Sequence, residues 1–185
     1  IDNCKRNNTY YYINWKVSNH MSTLSVDTIQ GQTTAANVKL PAGYVIQTQY
    51  AQSMTQVSTT TTSLASPTET GLNVTITPKY NTSKILLMIS ASMRGDGTAY
   101  VNALIKRNTT LIDLTGSQTN DGVMDYAHNV TGGRSHFQFL DSPATTSAIT
   151  YKFCFSRYGG SGTAYFNNNG SALSLSSFVA MEIAQ

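Results

Sequence analysis

Hydrophobic and polar residues alternate with a period of two over much of this chain. Leu72, Val74 and Ile76 are each separated by one polar residue. This spacing is typical of a β-strand with one buried face. Residues 85–93 differ, because they are apolar at almost every position in the first half of the run. We therefore predict a central strand there, covered on both faces.

The same period recurs in short segments at roughly the 8 to 12 residue spacing expected of a β-sandwich, with glycine-containing turns between them. No segment shows a sustained helical stripe. The predicted fold is all-β, an antiparallel β-sandwich of jelly-roll type preceded by a short extended N-terminal region. The pattern does not predict the order of the strands. Further strands are predicted at residues 44–50, 99–107, 109–114, 136–140, 150–158, 163–167 and 173–183, with a hairpin turn at Asn108.

Composition divides the chain into three parts. Residues 1–20 are rich in Asn, Lys, Tyr and Ile and lack periodicity, whereas Met21 opens MSTLSVDTIQ, which is typical of a protein start. We interpret residues 1–20 as a non-native or flexible extension, and a short natural anchor arm is the alternative. Residues 21–70 are predicted to hold N-terminal strands and an attachment or oligomerisation region, including a polar, Thr-rich run that needs partner strands. Residues 71–185 are predicted to form the sandwich, as a head domain.

Low charge characterises the whole sequence. Charged residues make up 11% of the chain, against roughly 25% in typical soluble domains. The net charge of +3 comes from scattered basic residues, whereas nucleic-acid binding needs a clustered basic stripe. No apolar run approaches the roughly 18 residues of a membrane span. We expect no nucleic-acid partner and no membrane insertion, and we expect Cys154 to be a reduced, buried thiol.

Few residues suit catalysis or metal binding. His128 and His136 lack the spacing of metal-ligand motifs, and the acidic turn DGVMD lacks the alternating oxygen ligands of a calcium loop. Glu182 lies between Met181 and Ile183 in the last predicted strand, where a solvated position is expected and burial at a subunit axis is the alternative. We predict that the protein is not an enzyme, with no catalytic residue, no metal site and no cofactor.

The tripeptide Arg94-Gly95-Asp96 spells an integrin-binding motif where a predicted strand meets a glycine turn. These three residue types are common beside turns, and Gly97 makes the turn explicit. We interpret the tripeptide as a coincidence of turn composition.

Aromatic residues in predicted turns are the candidate binding residues. Tyr126 and His128 lie near a glycine turn, and Arg157, Tyr158 and Tyr165 lie around the sequence GGSG. Tyrosine and arginine offer a large contact area at low entropic cost, and aromatic rings stack on sugars. We predict that these five residues contact a ligand such as a bacterial surface polysaccharide. The alternative is that the tyrosines cap the ends of the sandwich.

Several segments together resemble a known family. MSTLSVDTIQ, TPKYNTSKILL, LIKRNTTLI, LDSPATTSAITYKF and the closing SSFVAMEI resemble the small fibre and tail-associated proteins of tailed bacteriophages, especially marine ones. Their head domains are similar in outline to the trimeric jelly rolls of the complement C1q and tumour necrosis factor superfamilies. The four segments other than MSTLSVDTIQ together cover roughly the last 115 residues, and the pattern includes no catalytic motif.

The resemblance implies a tail-fibre or receptor-binding protein of a virion. It implies a homotrimer that joins other virion proteins, contacts a host-surface polysaccharide or protein, and is assembled in the cytoplasm of the host bacterium. A capsid-decorating fibre is one alternative. A glycan-active tailspike enzyme is another, but it needs an elongated β-helix or a cleft with paired carboxylates, and the chain has nine acidic residues in all.

Overall fold

The structure is a computed structural model, and it consists of β-strands. Every regular element in the described residues is a strand, as the sequence predicts. The described residues are 41–112, 133–168 and 173–185, with the backbone alone of residues 5–6, 9–10 and 124–126.

The chain separates into two compact units, Ile1–Lys39 and Leu40–Gln185. In the first unit, β1 (Lys5–Arg6) pairs antiparallel with β2 (Thr9–Tyr10). The second unit holds β3 (Val45–Ser53), β4 (Val57–Thr59), β5 (Thr68–Ile76), β6 (Lys84–Gly95), β7 (Tyr100–Arg107), β8 (Thr110–Leu111), β9 (Met124–Tyr126), β10 (Gly133–Asp141), β11 (Ile149–Tyr158), β12 (Ala164–Phe166) and β13 (Ser176–Ile183).

One sheet of the second unit has β6 at its centre. At Ile89, β6 pairs with Phe137 of β10 along one edge and with Phe178 of β13 along the other. β12 follows β13 along this second edge and pairs with the C-terminal end of β6. β3 lies outside β13, and β4 lies outside β12. The sheet is therefore ordered β3-β13-β6-β10 over most of its length, with β12 and β4 completing one end.

The other sheet is ordered β5-β11-β7, and β8 and β9 both pair with the remaining edge of β7. The predicted hairpin turn at Asn108 joins β7 to β8. Asn108 has a φ of 56°, a left-handed conformation that asparagine tolerates well. Its Oδ1 accepts a hydrogen bond of 3.0 Å from the backbone N of Thr150, which fixes the turn against β11.

Strand pairing in the second unit is nested. β3 pairs with β13, β4 with β12, β5 with β11, β6 with β10, and β7 with β9. The first strand of this unit thus pairs with the last, the second pairs with the last but one, and so on toward the middle of the chain. A long antiparallel ribbon folded over in this way produces the two sheets of a jelly roll. The predicted fold class is confirmed, and the strand order is now known.

The hydrophobic core lies between the two sheets. Leu72, Val74 and Ile76 are buried in it, as their alternation predicts. Aromatic rings from both sheets meet there: the centroid of Phe153 lies 5.8 Å from that of Phe137 and 5.9 Å from that of Phe166. Each fully buried phenylalanine contributes roughly 1.5–3 kcal/mol of transfer free energy. Cys154 is also buried, as predicted.

β6 is central, as predicted, but its two faces are not equally covered. Its inward residues, including Ile85, Leu87 and Ile89, are buried, whereas Leu86 and Met88 on the outward side are half-buried. The sequence prediction that both faces are covered is therefore wrong for the described part of the chain. Continuous apolar runs predict burial on both sides, and they do not distinguish the core of one chain from a surface that another molecule covers.

Neighbouring strands extend this outward apolar surface. Tyr50, Val179 and Met88 are register partners in adjacent strands, so their side chains lie on one face of the sheet. Tyr50 is 59% exposed and Leu140, the partner of Leu86, is 48% exposed. We call this surface the apolar outer face. Its members are Val45, Tyr50, Leu86, Met88, Leu140, Val179, Met181 and Ile183.

The region predicted to carry N-terminal strands contributes directly to the sandwich. β3 and β4 form the outer edge of the first sheet, where the sequence predicted extended, edge-like structure. The boundary placed between residues 70 and 71 falls inside β5, which begins at Thr68. From residue 40 to residue 68 the sequence has no charged side chain, so this whole edge of the sheet is uncharged.

A polar contact ties the two sheets together inside the sandwich. Asp141, in β10 of one sheet, is 7% exposed and accepts hydrogen bonds from Tyr151 Oη (2.7 Å) and Arg107 Nη1 (3.0 Å) of the other sheet. Its Oδ1 also accepts from the backbone N of Ser142 (2.9 Å). Burial and the neighbouring carboxylate raise the pKa of the Tyr151 phenol, so tyrosine remains a donor here.

A second polar cluster lies where β12 gives way to β13. Asn167 is fully buried with a φ of 58°. Its Nδ2 donates to the carbonyl oxygens of Ser53 (2.9 Å) and Thr55 (3.2 Å), and its Oδ1 accepts from Ser176 Oγ (2.5 Å). Ser176 Oγ in turn accepts from the backbone N of Ser92 (3.0 Å). One amide side chain therefore fastens the turn between β3 and β4 to the interrupted edge of β6.

Candidate functional site

Two connections lie side by side at one end of the sandwich: residues 96–99, between β6 and β7, and residues 159–163, between β11 and β12. We call them together the loop end. The backbone N of Thr98 donates to the carbonyl oxygen of Ser161 (3.1 Å), and the backbone N of Ser161 donates to Thr98 Oγ1 (2.9 Å). These reciprocal bonds hold the two connections in one arrangement.

Close backbone approach makes glycine necessary at Gly160. Its φ is 59°, and a Cβ added there would lie 1.9 Å from the carbonyl oxygen of Thr98. We expect Gly160→Ala to lower the free energy of unfolding by about 2 kcal/mol more than Gly43→Ala. Gly43 is the matched control, because its φ is 90° but a Cβ there would meet nothing within 4 Å. Urea unfolding of both variants measures the difference. Equal losses of unfolding free energy would show that the loop end accommodates the added Cβ at little cost.

The side chains of Arg94 and Asp96, in the Arg94-Gly95-Asp96 tripeptide, both make contacts within the protein. The guanidinium carbon of Arg94 lies 4.4 Å from the centroid of the Tyr165 ring. Asp96 Oδ2 accepts from Tyr165 Oη (3.0 Å), and Asp96 Oδ1 accepts from the backbone N of Thr163 (2.5 Å). The tripeptide therefore organises the loop end, in agreement with its interpretation as turn composition.

Arg157 points between the sheets. It is the register partner of Val101, which belongs to the core, so the two side chains lie on the inner face. Its Nη1 donates to the carbonyl oxygen of Gly162 (3.3 Å), and its backbone N donates to the carbonyl oxygen of Thr61 (2.7 Å). Arg157 thus supports the connection that follows β11 from inside.

Tyr158 faces outward from the second sheet and pairs with Tyr100 of β7. The two ring centroids lie 6.2 Å apart, with an angle of 55° between the ring planes. Tyr100 is 43% exposed, and Tyr158 is half-buried. Sequence reasoning missed Tyr100. Its place beside Tyr158 depends on the register between β7 and β11, which hydrophobic periodicity does not specify.

Three of the predicted binding residues, Arg157, Tyr158 and Tyr165, thus lie at one end of the sandwich but face different ways. Tyr165 lies on the outer side of the first sheet, Tyr158 on the outer side of the second, and Arg157 between the sheets. The backbone of Tyr126 pairs with Val101, in the same row as Arg157. His128 lies outside the described residues. Joint ligand contact by all five residues stays a prediction.

Glu182 corrects the expectation of a solvated position. It is fully buried, because the inward row of β13 is set by Phe178 and Ala180 and Glu182 continues that row. Its Oε1 accepts from the backbone N of Lys79 (2.7 Å), and its Oε2 accepts from Gln47 Nε2 (2.6 Å). The carboxylate therefore anchors the connection between β5 and β6.

The described residues offer little for metal chemistry. They contain no group of three or more His, Cys, Asp or Glu side chains arranged to bind a metal ion. Among the same residues, none forms a helix with the length and hydrophobicity needed to cross a membrane.

Comparisons with known proteins give distant structural similarity. No family model matches the chain, and no curated protein matches it. The VP2 protein of infectious bursal disease virus in derived T=1 particles is 17% identical with a TM-score of 0.31, covering 76% of this chain and 37% of that one. The VP2 subviral particle of the same virus is 16% identical with a TM-score of 0.32, covering 76% and 39%. The chain thus spans well under half the length of either VP2 chain.

Proposed function

We propose that this protein is a non-enzymatic structural component of a virion. In this proposal it is a homotrimeric tail fibre or receptor-binding head, joined to other virion proteins and assembled in the cytoplasm of a host bacterium. Its loop end contacts a polysaccharide or protein on the host surface. The apolar outer face carries the proposal, because its apolar side chains stay half-buried or exposed to solvent in a single chain.

The size of the apolar outer face supports association. Four strands spaced by roughly 4.8 Å, over seven residues of roughly 3.3 Å each, give a flat outward area of roughly 400 Å², which the apolar residues share with polar positions such as Thr48, Gln138 and Ser177. The largest exposed apolar patch of a soluble protein is usually about this size, and it is often a functional surface. The uncharged edge formed by β3 and β4 adjoins this face, so strands from the predicted attachment region and the face form one continuous surface.

The charge on the apolar outer face also suits contact between copies. Among the described outward positions of this sheet there is no carboxylate, and Lys84, Arg94 and Arg134 lie toward its ends. Burial against another copy therefore removes no negative charge from water, and the cations can remain at the solvated rim.

We expect the purified protein to sediment as a trimer and Val179→Lys to sediment as a folded monomer. Val179 lies in a middle strand of the apolar outer face, where a buried lysine costs several kcal/mol per interface. Thr75→Lys is the matched control, because Thr75 is exposed on the outer side of the other sheet. A wild-type monomer at nanomolar concentration, or a trimer that tolerates Val179→Lys, would contradict the proposal.

Location in the particle is tested separately. A labelled antibody against the protein should mark the tail of the virion in electron micrographs. Label confined to the capsid surface would favour the capsid-decorating alternative, and an unlabelled particle would overturn the virion role altogether.

A further inference from the structure

We propose that Tyr100 and Tyr158 form a stacking platform for the ring of a neutral pyranose in a saccharide chain. This inference rests on the attachment role proposed above, and it names the ligand chemistry and the side chains. We call the two residues the tyrosine pair. It differs from the five-residue set predicted from the sequence. It adds Tyr100 and leaves out Arg157 and Tyr165, which make internal contacts. It does not use Tyr126 or His128, whose side chains lie outside the described residues.

The tyrosine pair is displayed rather than packed away. The neighbouring row, formed by Val101 and Arg157, points inward, so the tyrosine side chains point outward from the second sheet. The ring centroids are 6.2 Å apart and the planes are tilted by 55°. With Tyr100 43% exposed, the pair presents aromatic surface at an open angle.

The loop end flanks one side of this pair, whereas the next outward residues of the same strands, Asn102 and Ser156, are buried. Gly159 has a φ of 59°, and a Cβ there would lie 3.5 Å from Cδ2 of Tyr100, so the glycine backbone flanks that ring. Gly97, Gly159 and Gly160 are exposed and carry no side chain to cover the rings. The reciprocal bonds between Thr98 and Ser161 fix both connections, so little ordering remains to be done on binding.

Chemistry beside the tyrosine pair favours an uncharged ligand. Thr98 and Ser161 are exposed; Thr98 Oγ1 accepts from the backbone N of Ser161 (2.9 Å) and lies 3.5 Å from Ser161 Oγ, and each hydroxyl oxygen has a second lone pair for a ligand donor. Both carboxylate oxygens of Asp96 already accept bonds from residues of the loop end and β12. An anionic ligand such as a phosphate chain requires basic side chains, and Arg94 is engaged with Tyr165 on the other sheet.

A pyranose ring matches these features. Its C–H groups carry partial positive charge toward the negative face of an aromatic ring, while its hydroxyl groups meet Thr98 and Ser161. Tyrosine loses little conformational entropy in such a contact, because its side chain has only two rotatable bonds to fix. Tyr165 cannot serve in the same way, because the guanidinium of Arg94 covers its ring and Asp96 holds its hydroxyl group.

The test uses the full-length protein on a printed array of neutral and acidic bacterial polysaccharides, with saturation-transfer NMR on methyl glucopyranoside, galactopyranoside and mannopyranoside. We expect wild-type binding to the array and saturation of ring protons of at least one pyranoside. Tyr100→Ala should weaken binding about tenfold, which corresponds to about 1.4 kcal/mol, while Tyr100→Phe should stay within about twofold. Tyr44→Ala is the matched control, because Tyr44 is 57% exposed and precedes β3, away from the loop end.

Several outcomes would overturn the tyrosine pair as a saccharide site. These are absence of wild-type binding on the array and in NMR, equal losses in Tyr100→Ala and Tyr44→Ala, or binding to acidic polysaccharides alone. Thermal melts of each variant show whether the fold is retained. Sedimentation of the same samples separates the two proposals: a trimer that binds no pyranose overturns the saccharide site alone, and a monomer that binds one overturns the trimer alone.

Discussion

Asp141→Ala is expected to lower the free energy of unfolding by about 3 kcal/mol. Asp141 accepts hydrogen bonds from Arg107 and from the buried hydroxyl group of Tyr151, both in the opposite sheet. Removing the carboxylate leaves that hydroxyl group without its acceptor, in a place that water does not reach. The partly exposed Arg107 recovers some hydration, which keeps the loss below that of a fully enclosed ion pair.

Glu69→Ala provides the matched control for this prediction. Glu69 also pairs with basic side chains, Lys106 and Lys152, but its side chain is 40% exposed on the outer side of the second sheet. The Lys152 ammonium holds the pKa of the Glu69 carboxyl below its ordinary value. Solvent screens such pairs, so the loss should be under about 1 kcal/mol. Urea unfolding at one fixed protein concentration measures both variants, and equal losses would show that Asp141 does not fasten the sheets.

Asn167→Ala should have the largest effect, a loss of about 4 kcal/mol. The amide makes three hydrogen bonds with Ser53, Thr55 and Ser176 in a site that excludes water. Alanine loses all three and must also adopt a φ near 58°, which asparagine tolerates better.

Asn167→Gly separates these two causes. Glycine removes the same hydrogen bonds but adopts a positive φ without strain, so it should be less destabilising than alanine by about 1 kcal/mol. Circular dichroism during urea unfolding measures both. A loss below about 1 kcal/mol for alanine would show that the edge of β6 is held without this amide.

Hydrophobic periodicity predicted the fold class, because the class depends on the local alternation of apolar and polar residues along each strand. Leu72, Val74 and Ile76 lie on one inward face as expected, and Asn108 forms its turn. The prediction of side-chain direction was wrong where the direction depends on other residues of the same strand. Glu182 points inward because Phe178 does, although Met181 and Ile183 beside it are apolar and face outward. The two-sided apolar run of β6 identified a central strand, but it did not show that one side stays half-buried in a single chain.

The sequence brought three of the five candidate binding residues together, but it did not predict the directions of their side chains. Arg157, Tyr158 and Tyr165 all lie at the loop end because they flank one connection in the sequence. Their directions follow from strand faces, and the ring partners come from elsewhere in the chain: Arg94 for Tyr165 and Tyr100 for Tyr158. Such partners depend on register between distant strands, which a single sequence does not reveal.

Nested pairing also governs when the protein can fold during its synthesis. β13 lies between β3 and β6, and the hydrogen bond between Gln47 and Glu182 joins residues 135 positions apart. At roughly 5–20 residues per second, β3 waits roughly 7–27 seconds for that neighbour to leave the ribosome. Until then the central β6 has an open edge, and the sheet that bears the apolar outer face is incomplete. Only chains translated through β13 can complete that surface, so the topology makes the finished face depend on synthesis of the last strand.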